Sequence, residues 1–187
     1  MVLKSSCQPS GLSVSAQCNE AVVCIEGRDE RVMSELKIAL WQMNAKVGDF
    51  VENAANIRAA ARRAEQMGAG LLLTPEMSLV GYPAEDWILR DDFCEKAWKV
   101  LILLAESMKD TIPVLVGTVW KEENGARRNA LALLRSGRIE ALYFKQHLPE
   151  YGVFDEPRVF SPGDQPVVIE VRSVASGCYG SDVRRRS

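Results

Sequence analysis

The order of apolar segments along the chain is the feature that most restricts its fold. Short apolar runs, each of strand length, alternate with two longer segments whose apolar residues recur at helical spacing. The runs fall at 38–43, 71–74, 114–120, 130–134 and 139–144. The last two bracket Arg135-Ser136-Gly137-Arg138, which predicts a hairpin with glycine in its turn. Strand, helix, strand, helix, strand and hairpin together predict an α/β layered domain with a mixed sheet.

The two helical segments carry recognisable stripes and ends. In the first, Ala54, Ile57, Ala61 and Ala64 form one apolar face, Asp49 is placed to cap the start, and glycines follow at 68 and 70. The second runs from about residue 92 to 109. Each segment therefore predicts a helix that packs one face against the sheet.

Composition excludes several classes of function. The 187 residues are 47% hydrophobic with a formal net charge of −2, which is typical of one soluble globular domain and leaves no basic excess for nucleic acid. Near the N-terminus the longest apolar run is residues 21–25. That run is shorter than the roughly 18 residues of a membrane span and the roughly 7 of a signal-peptide core, so we expect a cytoplasmic protein without membrane attachment.

Cysteine and histidine usage narrows the chemistry further. The five cysteines show no CxxC spacing, which predicts neither a disulfide framework nor a zinc site, and no metal is expected. His147 is the single histidine, so a histidine-dependent triad has only one possible base. A structural hydrogen-bonding role is the favoured interpretation of His147.

Two charged residues follow predicted strands and suggest a different hydrolytic mechanism. Amide hydrolysis without histidine needs a thiol, a base that deprotonates it, and a fixed positive charge where the oxyanion develops. Glu76, after the strand at 71–74, fits the base, and Lys145, after the hairpin, fits the positive charge. Their spacing alone favours two solvated surface charges, because acidic and basic residues at strand ends are common.

The residues around this pair carry a family resemblance. Between about Ser34 and Val171 the chain resembles the glutaminase domains of glutamine-dependent NAD synthetases, a branch of the carbon-nitrogen hydrolase (nitrilase) superfamily. The blocks that carry it are Leu40-Trp41-Gln42-Met43-Asn44, Thr74-Pro75-Glu76, Gly81-Tyr82-Pro83-Ala84-Glu85-Asp86, Asn129-Ala130, Lys145-Gln146-His147-Leu148-Pro149 and Tyr151-Gly152-Val153-Phe154-Asp155-Glu156. The block that begins at Gly81 and the block that begins at Tyr151 are typical of the NAD synthetase branch.

The resemblance implies a fold, an activity and partners. The fold is the nitrilase-like α-β-β-α sandwich. The activity is attack on the side-chain amide of glutamine, formation of a thioester and release of ammonia, with no cofactor for the glutaminase part. In the family the ammonia passes to a C-terminal synthetase domain, which uses ATP to amidate nicotinic acid adenine dinucleotide to NAD. A homo-oligomer is implied for a complete protein.

Site residues carry over position by position. The resemblance implies that Glu76 is the general base, Lys145 the oxyanion-stabilising lysine, Tyr151 a glutamine-binding tyrosine and Glu156 a second carboxylate near the substrate. The family's nucleophilic cysteine would fall at Ser181. We therefore expect the nucleophile to be missing and this chain to be inactive.

The ends of the chain fall outside the resemblance. Residues 1–32 are expected to be a leader with no recognisable domain, 33–171 an incomplete carbon-nitrogen hydrolase domain, and 172–187 an out-of-pattern tail without a following synthetase domain. A reading-frame change near residue 172 and a biological truncation both fit this pattern. Two other functions stay open: a catalytically dead interaction protein with a nitrilase fold, and a stand-alone amidase that uses Cys178.

Overall fold

One mixed sheet and two helices make up most of the described structure. The computed structural model describes residues 14–15, 22–29, 34–152 and 154–171. The strands are β1 Val14–Ser15, β2 Val22–Asp29, β3 Ser34–Trp41, β4 Leu71–Leu73, β5 Val114–Lys121, β6 Arg127–Arg135 and β7 Arg138–Phe144. The helices are α1 Phe50–Gln66 and α2 Asp91–Ser107, with short 3-10 helices at Glu85–Leu89 and Glu156–Arg158.

Strand order in the sheet follows chain order. β3, β4 and β5 pair in parallel, with Ile38 opposite Leu71 and Leu72 opposite Val114, whereas β5, β6 and β7 pair antiparallel. α1 and α2 are the crossovers that the parallel pairs require. The predicted α/β domain with a mixed sheet is confirmed.

The sheet buries side chains on both faces, because successive side chains of a strand point to opposite sides. One face packs against the helices through Ala39, Trp41, Leu72, Val114, Val116, Ala132 and Leu134. α1 and α2 meet each other there, with the rings of Phe50 and Phe93 centred 5.0 Å apart. The described residues thus supply one helical layer and one sheet of the expected four-layer sandwich.

The opposite face carries a smaller apolar cluster. Leu71, Leu115 and Leu133 are buried there, and Ile169 and Val171 from the extended segment after residue 160 pack against them. The last described residues of the chain therefore cross the sheet on the side away from the helices. The predicted tail, 172–187, lies outside the described residues.

Helix α1 begins where the sequence predicts and is anchored to the loop after β4. The Asp49 carboxylate accepts a hydrogen bond from the backbone N–H of Glu52 at 3.4 Å. The buried Asn53 amide donates to the carbonyls of Lys46, at 2.8 Å, and Leu79, at 3.1 Å. Asn53 thus fixes the loop at 74–81 against the helix.

At the N-terminal side the structure contains a strand that the sequence did not predict. Strand β2 lies within the segment expected to be a leader, and it pairs antiparallel with β3 along its full length. Residues 22–25 are apolar but show no sustained alternation, so the local sequence did not predict this strand. Its hydrogen bonds come from β3, a partner that local pattern does not reveal. Of the described residues, no helix is both long and apolar enough to cross a membrane.

Candidate active site

Glu76 is held in place by a close approach between its loop and strand β5. It follows β4, and the loop that carries it lies directly on β5 at Gly117. A Cβ atom at position 117 would lie 2.3 Å from the Pro75 carbonyl oxygen, so only glycine permits this approach. The carboxyl end of β4 can therefore deliver Glu76 against the neighbouring strand.

Two buried hydroxyls stabilise the same loop. The oxygens of Thr74 and Ser78 lie 2.6 Å apart, Thr74 donates to the Leu115 carbonyl at 3.0 Å, and Ser78 donates to the Gly117 carbonyl at 3.2 Å. Both hydroxyls bind backbone groups of β5, which leaves little freedom in the turn between them. Glu76 is thus presented by a rigid loop.

Lys145 follows β7, the strand that runs in the same direction as β4. Its backbone N–H donates to the Asn129 carbonyl at 2.8 Å, and its carbonyl accepts from the Gly163 N–H at 2.9 Å. These two bonds fix the lysine backbone between β6 and the segment at 163. Glu76 and Lys145 therefore stand at the same end of the sheet.

Three charged side chains meet at this end. The Lys145 ammonium lies 3.0 Å from Oε1 of Glu76 and 2.9 Å from Oε1 of Glu156. The side-chain amide of Asn129 donates to the same oxygen of Glu76. The proximity of Glu76 and Lys145 that the sequence predicts is confirmed, whereas their catalytic roles stay predictions.

The cluster holds more acceptors than donors. Burial lowers the pKa of Lys145, but the hydrogen bonds to Glu156 and Glu76 outweigh it, so the pKa lies above its ordinary value and the ammonium stays charged. The Glu156 side chain is only 8% exposed, and its Oε2 is buried with no hydrogen-bond partner among the described residues. A buried acceptor of this kind is costly unless something donates to it.

An apolar pocket of about 260 Å³ adjoins the cluster at Glu156. Its walls include Met77, Tyr82, Ile88, Phe154 and Phe160. Burial raises the pKa of the Tyr82 phenol, and the nearby Glu156 and Glu76 carboxylates raise it further. Tyr82 thus lines the pocket close to the carboxylates of the charged cluster. Its hydroxyl stays protonated and can donate a hydrogen bond.

Tyr151 stands apart from the charged cluster. Its side chain is 71% exposed, and its ring packs edge-on against Phe154, with centroids 5.6 Å apart. Tyr151 therefore contacts Phe154, which lines the pocket, but is not itself one of the residues that line it. Its predicted glutamine-binding role stays a prediction. The two positions considered for the nucleophile, Cys178 and Ser181, lie outside the described residues.

The arrangement suits the chemistry of an amide carbonyl. A fixed ammonium can stabilise a developing oxyanion, and an adjacent carboxylate that is 45% exposed can accept a proton from an incoming group. The ammonium also occupies the position between the two carboxylates that a cation would take. Within the described ranges, no group of three or more His, Cys, Asp or Glu side chains could hold a metal ion.

The sequence analysis assigned no role to Asn129, Tyr82 or Gly117. Asn129 and Tyr82 lie in the blocks that carry the family resemblance, and that was the only available signal for them. Gly117 sits inside a buried strand, where glycine is unfavourable, and this could have indicated a close backbone approach. Their importance comes from contacts between distant segments.

Comparisons with known proteins agree with this geometry. The family model described as Carbon-nitrogen hydrolase matches residues 37–182, a range that includes both Cys178 and Ser181. The glutamine-dependent NAD(+) synthetase of Acinetobacter baylyi is 40% identical over 138 residues, covering 74% of this chain and 25% of that protein. The corresponding protein of Synechocystis sp. is 42% identical over 130 residues, covering 66% and 23%. The chain thus spans about a quarter of the length of these curated relatives.

Solved structures give the same result. The glutamine-dependent NAD+ synthetase from Acinetobacter baumannii, in complex with adenosine diphosphate, superposes with a TM-score of 0.68 and 36% identity over 72% of this chain and 25% of that one. A mutant amidase from Nesterenkonia sp. AN1, with the acetamide moiety of fluoroacetamide added covalently at its active site cysteine, gives 0.59 and 31% over 71% and 50%. The fold is therefore nitrilase-like, and the chain belongs to the carbon-nitrogen hydrolase family.

Proposed function

We propose that this domain is the glutamine amidohydrolase part of a glutamine-dependent NAD+ synthetase, the part that supplies ammonia. The observation that carries the proposal is the Lys145 ammonium held within 3.0 Å of the Glu76 carboxylate beside an apolar pocket. Similarity to glutamine-dependent NAD synthetases over about three quarters of the chain supports the choice of glutamine.

Each member of the cluster has a role in the reaction. Glu76 takes the proton from a thiol, and the thiolate attacks the carboxamide carbon of glutamine. The carbonyl oxygen becomes an oxyanion that Lys145 stabilises. The C–N bond then breaks, Glu76 returns the proton to the leaving nitrogen, and ammonia departs. Water, deprotonated by Glu76, hydrolyses the thioester to glutamate and regenerates the thiol.

Glu156 and the pocket bind the substrate. The unpartnered Oε2 of Glu156 accepts a hydrogen bond from an N–H group of glutamine, which removes the cost of leaving that oxygen without a donor. Tyr151 contributes to glutamine binding through its contact with Phe154, which lines the pocket. The substrate thereby completes a set of hydrogen bonds that the described residues leave open.

At the position where the family has its nucleophilic cysteine, this chain carries a different residue. The family spacing puts Ser181 where the cysteine belongs, and Cys178 stands three residues earlier. A serine with only a carboxylate as its base is a much weaker nucleophile than a thiolate. We therefore propose that the sequence as it stands does not turn over glutamine.

The proposed partners follow from the same similarity. The ammonia would be used by a synthetase domain that binds ATP and nicotinic acid adenine dinucleotide, while the glutaminase step itself needs no cofactor. Homo-oligomers and a cytoplasmic location belong to the same proposal.

Restoring the thiol tests the proposal. We expect the full chain to release no ammonia from glutamine and the Ser181→Cys variant to gain turnover, measured by coupling ammonia to glutamate dehydrogenase. Cys178→Ala in the Ser181→Cys background is the matched control and should leave the gain intact. A Ser181→Cys chain that stays folded by circular dichroism but releases no ammonia contradicts the assignment.

A stand-alone amidase is the second candidate. The similarity to the Nesterenkonia amidase, over half of that chain, favours it, as does the apolar lining of the pocket. In this case the unaltered chain would hydrolyse a short aliphatic amide such as butyramide in preference to glutamine, and Cys178→Ala would abolish the activity. Absence of both results leaves the glutaminase proposal as the better account.

A further inference from the structure

Asn129 connects the two charged residues on which the site depends. It is on β6, it is 5% exposed, and its side-chain amide donates to Oε1 of Glu76. Its backbone carbonyl accepts the N–H of Lys145 at 2.8 Å. One buried residue therefore holds the side chain of the carboxylate and the main chain of the lysine at once.

Both of the donors on Glu76 reach the same carboxylate oxygen. Asn129 and Lys145 each direct a hydrogen to Oε1, and no described residue donates to Oε2. The outer torsion of a glutamate side chain is broad and roughly two-fold, so the carboxylate group is not oriented by its own rotamer. The positions of these two donors therefore determine which oxygen of the Glu76 carboxylate stays free.

We propose that Asn129 is a positioning residue, which occupies Oε1 of Glu76 so that Oε2 is the oxygen that takes the proton of the nucleophile. The assignment rests on the proposed function and names the basic atom within it. The O–H bond forms at Oε2 as the S–H bond breaks, and Lys145 keeps its own protons throughout.

The chemistry of the amide explains why this residue type is needed. Without Asn129, the carboxylate of Glu76 can turn and offer both oxygens to the Lys145 ammonium, and the base is then consumed in the ion pair. A carboxylate at position 129 would repel Glu76 instead of orienting it. An amide donates a hydrogen bond to Oε1 without adding charge.

The hydrogen bond can be tested on the unaltered chain by NMR. The side-chain amide signals of Asn129, assigned by their loss in Asn129→Asp, should shift when Glu76→Gln removes the charge of the acceptor. Asn124 is the control, because its exposed side chain lies in the turn between β5 and β6 and should not respond. Asn129 signals that stay in place while the Glu76→Gln chain remains folded would overturn the proposal.

The functional consequence is tested in the Ser181→Cys chain. We expect Asn129→Ala to lower kcat for ammonia release by about ten- to hundredfold per active site titrated with a thiol-reactive glutamine analogue, the factor expected for one charge-assisted hydrogen bond, while KM for glutamine stays within about twofold. Asn124→Ala, an exposed turn residue, is the control and should change neither constant. A purely structural role would lower the number of sites that the glutamine analogue titrates and leave kcat per site unchanged.

The outcomes separate this proposal from the function on which it rests. If the folded Ser181→Cys chain releases no ammonia, the proposed function fails and the role of Asn129 fails with it. If that chain is active and Asn129→Ala leaves kcat unchanged, only the positioning role is overturned.

Discussion

Two clusters of charged side chains in this domain have opposite compositions. At the candidate site one ammonium, Lys145, lies between the carboxylates of Glu76 and Glu156. At the start of α2 one carboxylate, Asp91, lies between Lys121 at 2.9 Å and Arg127 at 2.7 Å. The first cluster has an excess of acceptors and the second an excess of donors.

The cluster at α2 has a clear structural purpose. It ties the helix start to both strands of a hairpin, since Lys121 ends β5 and Arg127 begins β6. Arg127 also donates to the Leu89 carbonyl at 2.8 Å. Hydrogen bonds from Lys121 and Arg127 lower the pKa of Asp91, whose side chain is 60% exposed. These contacts tie the elements together at the surface and require no ligand.

Among the described residues, each cluster has one buried polar atom without a hydrogen-bond partner: Oε2 of Glu156 in the first and Nε of Arg127 in the second. Their surroundings differ. Glu156 lines the pocket, whereas Arg127 does not and lies close enough to the Cys94 thiol to offset part of the rise that burial causes in the pKa of that thiol. An unmatched buried atom indicates a ligand only where there is space for one.

Removing the central charge of each cluster should give the largest contrast. We expect Lys145→Met to lower the free energy of unfolding by about 2–3 kcal/mol, less than for a fully buried pair because Glu76 is half exposed. Lys121→Met should cost much less, since Arg127 still pairs with Asp91. Urea unfolding of both variants at pH 7 checks this. Equal losses would mean that the two clusters are equivalent.

Gly117→Ala tests whether the site alone depends on a close backbone approach. The added methyl would meet the Pro75 carbonyl, so we expect a loss of about 2 kcal/mol and displacement of the Glu76 loop. The Asp91 cluster should be unaffected, with the Lys121 and Arg127 contacts retained in a crystal structure of the variant. Wild-type stability in Gly117→Ala would show that the loop can move without cost.

Neutralising one carboxylate in each cluster should change stability in opposite directions. We expect Glu156→Gln to raise the free energy of unfolding by about 1 kcal/mol, because it removes a buried charge that the described residues do not fully satisfy. Asp91→Asn should lower it, because two cations then lose their shared partner. Thermal unfolding at matched pH distinguishes the two results. Destabilisation by Glu156→Gln would mean that its charge is already balanced.

The contributions of the two clusters to stability should also be lost at opposite ends of the pH range. The pKa of Lys145 is raised, so its contribution is complete below its ordinary pKa of 10.5 and is lost as the pH rises through the higher folded value. The pKa of Asp91 is lowered, so its contribution is complete above 3.8 and is lost as the pH falls through the lower folded value. The stability difference between wild type and Lys145→Met should shrink above pH 10.5, and that for Asp91→Asn below pH 3.8.

Much of the fold could be predicted because its signals are local. The apolar stripe and Asp49 predicted helix α1, and the glycine turn predicted the hairpin of β6 and β7, where Ser136 and Gly137 both have positive φ. Strand ends were less accurate: β3 spans Ser34–Trp41, against the predicted 38–43. β2 was missed because its pairing with β3 decides its structure.

The charged pair of the site could be predicted, but its surroundings could not. Glu76 and Lys145 follow strands that run in the same direction, so the topology places both residues at the same end of the sheet. The hydrogen bond from Asn129 to Glu76 joins β6 to the loop after β4, and β4 and β6 are not neighbours in the sheet, so nothing in the local sequence indicates it. The same holds for the unpartnered oxygen of Glu156, which depends on the packing of the segment after residue 150.

The hydrogen bond between the Lys145 N–H and the Asn129 carbonyl has a consequence for the order in which the site assembles. These residues belong to one hairpin, and hairpins close in about 1–10 μs. Glu76 reaches Lys145 only when β4 pairs in parallel with β5. This pairing is slower because the two strands are separated along the chain by helix α2. We expect the lysine side of the site to form first and to remain without its carboxylate until the central sheet closes.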